Sequence, residues 1–379
     1  MKITIDAKEF ERLVSVASQA IPSKPIRPEY ECVYVEASIG DGGPVMTAMG
    51  RDAGIAIKRS TDSVEIREEG VALIPANTLG SYLKIMDGPV KMDVNESRVC
   101  TLKCGGKKAS ISCLDASDFN ADFQRLSNWN VAAMDGKEFA SAVGDVSHCI
   151  NEQQDVGRIV LTGVCFAFDG SSGHCEAVGT DGLKFAMTRK KAETDDTFKA
   201  LIPIGYAKLI SKIVGNSEKV NFRFGNGVVI AEDGISSIEA SQLSGEYIDY
   251  RRVATKDGKM QARINVEETI EALKMAQIAS LESQKNLVIM NFDEEGILRI
   301  SSRSDRTESA TDVNCDTNGR MDGKQEIAFN AQYMLDSLRA SANYSGEATL
   351  IINTPSSPMV VLPVGRDDYF QLVLPVRRL

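Results

Sequence analysis

The chain has only two histidines, His148 and His174, and one tryptophan in 379 residues. A histidine acid–base centre needs an imidazole beside the reacting proton. Neither histidine recurs in the repeats described below, so no such centre is expected. No stretch approaches the roughly 18 apolar residues of a membrane-spanning helix. The opening MKITIDAKEF lacks the apolar core of a secretory signal, so a cytoplasmic protein is expected. The eight cysteines form no disulfide-like framework. Cys100 and Cys104 sit four apart in a strand-like stretch with no histidine nearby in sequence. Free thiols in a reducing compartment are expected there, rather than a zinc site. A Walker loop and a dinucleotide fingerprint are both missing. The glycine-rich Gly40–Gly43 lies between strands and precedes no helix, so it reads as a turn. No cofactor and no metal are expected.

Positive charge is also short. Lys and Arg number 43 against 53 Asp and Glu, a net charge of −10. This argues against a protein that holds nucleic acid by bulk charge, which usually needs a basic domain. Whole-chain charge does not speak against one local basic face.

What the chain does have is apolar material, 43% of residues, enough for two or three cores at this length, and repetition. IPANTLGSYLKIM (Ile74–Met86) returns as IPIGYAKLISKIV (Ile202–Val214) and FNAQYMLDSLRAS (Phe329–Ser341). A second series is DAKEFERLVSVASQAI from Asp6, DGKEFASAVGDVSHCI from Asp135 and, more loosely, NVEETIEALKMAQIAS from Asn265. Each member of that series opens on a good N-cap residue with Glu three positions later: Glu9, Glu138 and Glu268. The first two carry apolar residues at helical spacing; the third is less clean. Between and after the helices come alternating strand-like runs. A dipeptide ending in Asp recurs among them: Arg51-Asp52, Thr180-Asp181 and Ser304-Asp305.

Each unit therefore reads as helix, strands, helix, strands. The fold class is α+β, with three similar domains and helices gathered on one side of mostly antiparallel sheets. The expected domains are residues 1–128, 129–253 and 254–379, joined near Arg125–Met134 and Arg251–Ile264.

Few residues suggest chemistry. Asp181 could be tried as a nucleophile or metal ligand, but Asp181-Gly182 between alternating runs predicts a hairpin turn. Asp367-Asp368 reads as a solvated loop. The chain closes on FQLVLPVRRL from Phe370, an apolar strand that is either packed, completing a cleft, or a plain edge strand. The second helix of each unit carries cations, Lys84, Lys208, Lys212 and Arg339, which could face phosphates or merely water.

In order and spacing the whole chain resembles the bacterial sliding clamp family, the beta subunit of DNA polymerase III. The resemblance rests on the threefold repeat, MKITIDAKEF, AVGTDGLKFAM (Ala177–Met187), DYRRV (Asp249–Val253), FNAQYMLDSL (Phe329–Leu338) and the close LPVRRL. It implies domains of the DNA clamp type and a non-catalytic processivity factor: a ring of two subunits, head to tail, with helices lining the hole and sheets outside. The ring encircles double-stranded DNA without sequence preference and is opened by an ATP-driven clamp loader. It tethers the replicative polymerase, other polymerases and repair proteins through short peptides. A ring held by topology needs little phosphate affinity, which fits the acidic balance.

The resemblance also places a peptide groove. It would be lined by Leu161, Thr180, Gly182, Leu183, Lys184, Phe185, Ile248, Arg252, Val253, Asn330, Tyr333, Pro355, Ser357, Leu372, Val373, Leu374, Pro375, Val376 and Arg377. An apolar groove with a few fixed polar groups suits the Leu and Phe side chains of an extended peptide. DNA contacts fall at Lys24, Asn77 and Gln154. The subunit interface sets Lys107 and Lys108 against Ile278, Leu281 and Glu308. There are departures. Ile248 and Asn120 stand where proline is common in the family, and Asn77 where a basic residue is frequent. Ile159 and Val160 stand where aromatic residues can meet DNA. The competing readings are a peptide-binding scaffold that never encircles DNA and a carboxylate-centred enzyme at the Asp-Gly turn.

Overall fold

A computed structural model describes residues 1–125, 128–153, 156–252, 258–281 and 286–376. Among these are six α-helices: α1 (Ala7–Ala17), α2 (Ala76–Ile85), α3 (Gly136–Ser147), α4 (Ile204–Val214), α5 (Val266–Leu281) and α6 (Ala331–Ala342). The odd-numbered helices start where the N-cap residues predict. The Asp6 carboxylate accepts from the Lys8 N–H at 2.9 Å. Asp135 Oδ1 accepts from the Lys137 and Glu138 N–H groups at 2.8 and 3.1 Å. Asn265 Oδ1 accepts from the Glu268 N–H at 3.0 Å. Each bond satisfies donors that the first helical turn leaves open.

The described chain forms two compact units. One comprises Met1–Ala140, Glu193–Asp196 and Tyr206–Gln242. It holds a five-stranded antiparallel sheet in the order Val64–Glu68, Lys2–Asp6, Pro89–Val94, Val99–Cys104, Lys107–Ser112. It also holds an eight-stranded sheet: Asn130–Met134, Val220–Gly225, Val228–Glu232, Ser236–Ser241, Ile55–Thr61, Gly43–Arg51, Cys32–Gly40, Gly70–Pro75. The last four of these strands come from the first sequence repeat and the first four from the second. α1 and α2 bury Phe10, Leu13, Val14, Leu79 and Leu83 against inward-facing strand residues such as Ile5, Val33, Met46 and Leu102.

The other unit comprises Ser141–Ala192, Thr197–Gly205 and Leu243–Leu379, of which the residues named above are described. Its twelve-stranded sheet again mixes repeats. Four strands of the second repeat (Phe198–Pro203, Gly163–Asp169, His174–Thr180, Lys184–Lys191) lie beside Tyr369–Val373 of the third, which leads on through Met359–Pro363, Glu347–Ile352 and Met260–Asn265. The sheet ends with Glu308–Gly319, Ile297–Arg303, Leu287–Phe292 and Glu326–Asn330. The apolar C-terminal strand is thus interior, with a neighbour on each side.

The repeats superpose in their hydrogen bonding, with one correction. Gly50 pairs with Ile57, Gly179 with Ala186 and Ser302 with Ser309. Each turn that follows is closed by one bond: Asp52 N–H to Ile55 O, Asp181 N–H to Lys184 O, Ser304 N–H to Thr307 O. The third member of the series is therefore Ser304, not Asp305. The Ser304 hydroxyl accepts from the Arg306 and Thr307 N–H groups, as the Asp181 carboxylate accepts from those of Leu183 and Lys184. A short oxygen acceptor is what this turn needs, and Ser supplies one as Asp does.

Candidate partner-binding groove

The residues assigned to the groove gather in the second unit, apart from Val253 and Arg377, which lie outside the described residues. The strand Lys184–Lys191 pairs with Tyr369–Val373, setting Lys184 against Val373 and Phe185 against Leu372. The pairing runs on past the strand end, because the Leu374 N–H donates to Leu183 O at 3.0 Å. Val376 then donates to Ala328 O at 2.8 Å. Leu161, Phe185 and Leu372 are buried in one apolar cluster with Val178, Val360 and Phe370. The Phe185 ring lies 5.5 Å from that of Phe370, a tilted contact. Leu183, Ile248 and Val376, also assigned to the groove, are 47%, 42% and 40% exposed. Pro355 and Ser357, half-buried, belong to a tight turn in which the Ser357 N–H donates to Thr354 O. Arg252 is exposed and pairs with Asp249 at 2.7 Å.

The Thr180–Lys184 turn is built from its own side chains. Thr180, buried, donates its hydroxyl to Lys184 O at 2.6 Å and accepts from the Gly182 N–H at 3.0 Å. Gly182 has φ +89°, which a residue with a Cβ adopts at a cost. The Asp181 carboxylate caps the turn through two N–H bonds, so it is a structural acceptor here.

Lys184 is the polar centre of the site. Its side chain is 9% exposed, and its ammonium donates to His148 O at 2.7 Å and to Asp336 Oδ2 at 2.9 Å. The Tyr333 ring centroid lies 5.1 Å away. Asn330 caps α6 by accepting from the Gln332 N–H, and Gln332 in turn donates to Asp336. His148 is half-buried, and desolvation of its ring, followed by the nearby Lys184 charge, pushes its pKa down to about 4. His148, Asp336 and the fully buried Gln371, which donates to Ser337 O and Ser341 Oγ, belong to this site's support. Sequence reasoning did not find them. His148 and Asp336 meet Lys184 across 36 and 152 positions, and no local pattern announces such a meeting.

The residues assigned to DNA are on exposed faces. Lys24, Asn77, Lys84, Lys208 and Lys212 are exposed in the first unit and Arg339 in the second; Gln154 lies outside the described residues. The helices that carry the cations bury the opposite side: Leu79 and Leu83 in α2, Ala207 and Ile210 in α4, Met334, Leu335 and Leu338 in α6.

Of the assigned interface residues, Lys107, Lys108 and Glu308 begin strands and Ile278 and Leu281 stand on α5. Lys107 and Lys108 begin the last strand of the five-stranded sheet, and Lys107 donates to the Ile85 carbonyl at the end of α2. Glu308 begins a long strand whose first part, through Asn314, pairs among the described residues only with Ile297–Arg303; its second part reaches Met260–Asn265. Ile278 and Leu281 stand on α5 with Met275, at 65%, 63% and 56% exposure. The less clean periodicity of this helix has a physical source: it buries Ala272, Leu273 and Ala276 and also presents an apolar face outward. Among the described residues no group of three or more His, Cys, Asp or Glu side chains converges as metal ligands.

Comparison with known proteins matches residues 1–122 to the N-terminal domain and residues 251–377 to the C-terminal domain of the DNA polymerase III beta subunit. The chain is 24% identical over 319 residues to the beta sliding clamp of Staphylococcus aureus, covering 83% of this chain and 82% of that one. It is 23% identical over 387 residues to that of Staphylococcus epidermidis, covering 100% and 99%. Among solved structures, the DNA polymerase III beta chain of Streptococcus pneumoniae has a TM-score of 0.90 at 20% identity, and the sliding clamp of Bacillus subtilis 0.89 at 20%. Each covers 100% of both chains.

Proposed function

The chain belongs to the DNA polymerase III beta subunit family, whose members are non-catalytic sliding clamps of the replicative polymerase, and from that premise we propose that two copies join head to tail into a ring that encircles duplex DNA. The observation that carries this is an incomplete series of strand junctions. The last strand of the second repeat pairs with the fourth strand of the first repeat, Ile238 against Ile57. The last strand of the third pairs with the fourth strand of the second, Gln371 against Ala186. By the same rule the last strand of the first repeat, Lys107–Ser112, needs Glu308–Asn314 of a second copy. Among the described residues both edges are open, and open edges invite strand addition. Equivalent positions set Ala109 opposite Ser309 of the second copy and Lys108 opposite its Ala310. The exposed Met275, Ile278 and Leu281 then gain cover at the same joint, where the exposed Ile85 is the apolar counterpart on α2. Two chains of three domains (1–128, 129–253, 254–379) close with every junction of this series made.

The exposed cations Lys24, Lys84, Lys208, Lys212 and Arg339, with Asn77, supply weak, sequence-blind contact to phosphate. The groove around Leu161, Phe185, Leu183, Leu372 and Val376 takes one short extended peptide from the polymerase, the clamp loader or a repair protein. Ile248 at its rim offers an aliphatic wall.

A ring makes a topological prediction. A chain carrying Ala109→Cys and Ser309→Cys is loaded with its ATP-driven loader onto nicked circular DNA and crosslinked. The covalent dimer stays on circles through high salt and leaves when the circle is cut. Loss from circles and linear DNA alike would reject encirclement and leave a peptide-binding scaffold. Removing Val376 to Leu379 abolishes binding of a clamp-binding peptide in a titration and leaves the dimer intact; unchanged peptide affinity would reject the groove.

A further inference from the structure

Two of the eight cysteines stand together near the last two strands of the five-stranded sheet, Cys100 in the inner one and Cys113 just past the end of the outer one. Cys100, fully buried in Val99–Cys104, is paired across the ladder with Ile111. Cys113 lies two residues beyond Ile111, and its N–H donates to Arg98 O at 2.7 Å, which continues the pairing past the strand end. Side chains two apart on a strand share a face, so Cys113 is the diagonal neighbour of Cys100. Both pack on the same apolar cluster. The Cys113 thiol donates to Ile111 O at 3.8 Å, and the interaction of the two sulfurs pushes the Cys100 thiol up and the Cys113 thiol down from their ordinary values.

The two differ in access. Cys113 is half-buried and lines a cavity of about 410 Å³ with Tyr34, Val71, Leu114 and Phe119, which Arg98 and Asp115 also line as an ion pair. The interaction with Cys100 holds the Cys113 thiol below its ordinary value, whereas burial pushes those of Cys32, Cys149, Cys165, Cys175 and Cys315 up. A half-buried thiol at a cavity, beside a fully buried one, divides the labour of a peroxide-reactive pair.

We propose that Cys113 and Cys100 form an oxidation site: Cys113 is the residue that hydrogen peroxide meets in the cavity, and Cys100 resolves the product to an intramolecular disulfide. The Cys113 thiolate attacks one peroxide oxygen. An S–O bond forms, the O–O bond breaks, and the departing hydroxide leaves as water with the proton Cys113 gave up. The Cys100 sulfur then attacks the sulfenic sulfur. An S–S bond forms, the S–O bond breaks, and the hydroxide leaves as a second water with the Cys100 proton. Two thiols lose two electrons and one hydrogen peroxide gains them.

The test is a peptide map of the full chain treated with one equivalent of hydrogen peroxide, its remaining thiols alkylated, digested with trypsin without reduction. Cleavage after Lys103 and Lys108 separates the two cysteines unless they are linked. The expected result is a reducible link between the Cys100 and Cys113 peptides in preference to any other pair. In Cys100→Ser the Cys113 sulfenic acid persists and is trapped by dimedone; in Cys113→Ser neither product forms. Free Cys100 beside a sulfinic Cys113 in the native chain, equal linkage among other cysteines, or no oxidation at Cys113 would each overturn the assignment. The map of the native chain decides this whether or not the variants fold.

Discussion

The Lys184 ammonium lies 2.9 Å from Asp336 Oδ2, and the pair ties the Asp-Gly turn to α6 beneath the groove. The two side chains differ in burial, 9% and 23% exposed. Removing one partner of a buried pair leaves the other charge uncompensated, at a cost of about 3–5 kcal/mol when both are deeply buried. Asp336 retains some contact with water, so Asp336→Asn should lower stability by about 2 kcal/mol, below that range. Lys184→Met replaces the cation by an apolar chain of similar length and should cost less. Urea unfolding followed by circular dichroism gives the order; a larger loss for Lys184→Met would show that the bond to His148 O, not the ion pair, is the main tie.

His148 predicts an acid-sensitive fold. The unfolded chain takes up a proton near the ordinary histidine value of about 6.5, whereas the folded chain resists until about 4. Between these values the unfolded state binds more protons, so stability falls as pH falls. Each tenfold difference in proton affinity between the two states is worth about 1.4 kcal/mol, so the loss could reach about 3 kcal/mol across that window. His148→Gln removes the titration and flattens the difference profile between pH ~6.5 and ~4. Parallel pH profiles for the two proteins would exclude His148 as the source.

The repeat was legible because its signals are local: N-cap residues, helical spacing and the short acceptor of a tight turn. It slipped by one residue at Ser304 because the sequence favours matching Asp to Asp, whereas the turn requires only an oxygen on a short side chain. The weak helical pattern at α5 was also real information, since Met275, Ile278 and Leu281 spoil the pattern by facing outward. What stayed hidden was pairing over distance. Nothing near His148, Asp336 or Gln371 in sequence says that they support Lys184 and its turn. The groove residues could be named by resemblance, but that Phe185 and Leu372 are ladder partners is a property of the sheet.

Gly50 and Gly179 mark the same close approach in two repeats. A Cβ on Gly50 would lie 2.1 Å from Ala17 O, and one on Gly179 2.6 Å from Val146 O. Both oxygens are helix backbone and cannot move alone. Gly50→Ala and Gly179→Ala should each cost about 1–3 kcal/mol, as overpacked cores do. The third repeat carries Ser302 at this position, where the hydroxyl donates to Leu287 O. Ser302→Ala should therefore cost about 1 kcal/mol through a lost hydrogen bond, not through a clash. Equal losses at all three sites in urea unfolding would contradict this distinction.

The open edges make the last prediction. If Lys107–Ser112 joins Glu308–Asn314 of a second copy, the α5 face with Met275 and Ile278 is buried only in the dimer. Ile278→Asp then places a carboxylate in a dry joint, while in the monomer the same side chain stands in water. Folding stability should change little and the dimer should weaken at least tenfold, about 1.4 kcal/mol or more. Lys108→Pro should weaken the dimer separately, by deforming the edge strand and removing a backbone donor. Sedimentation velocity across a dilution series measures both. A dimer unaffected by either change would place the contact elsewhere. Loss with Ile278→Asp but not Lys108→Pro would keep the helix contact and remove the strand junction.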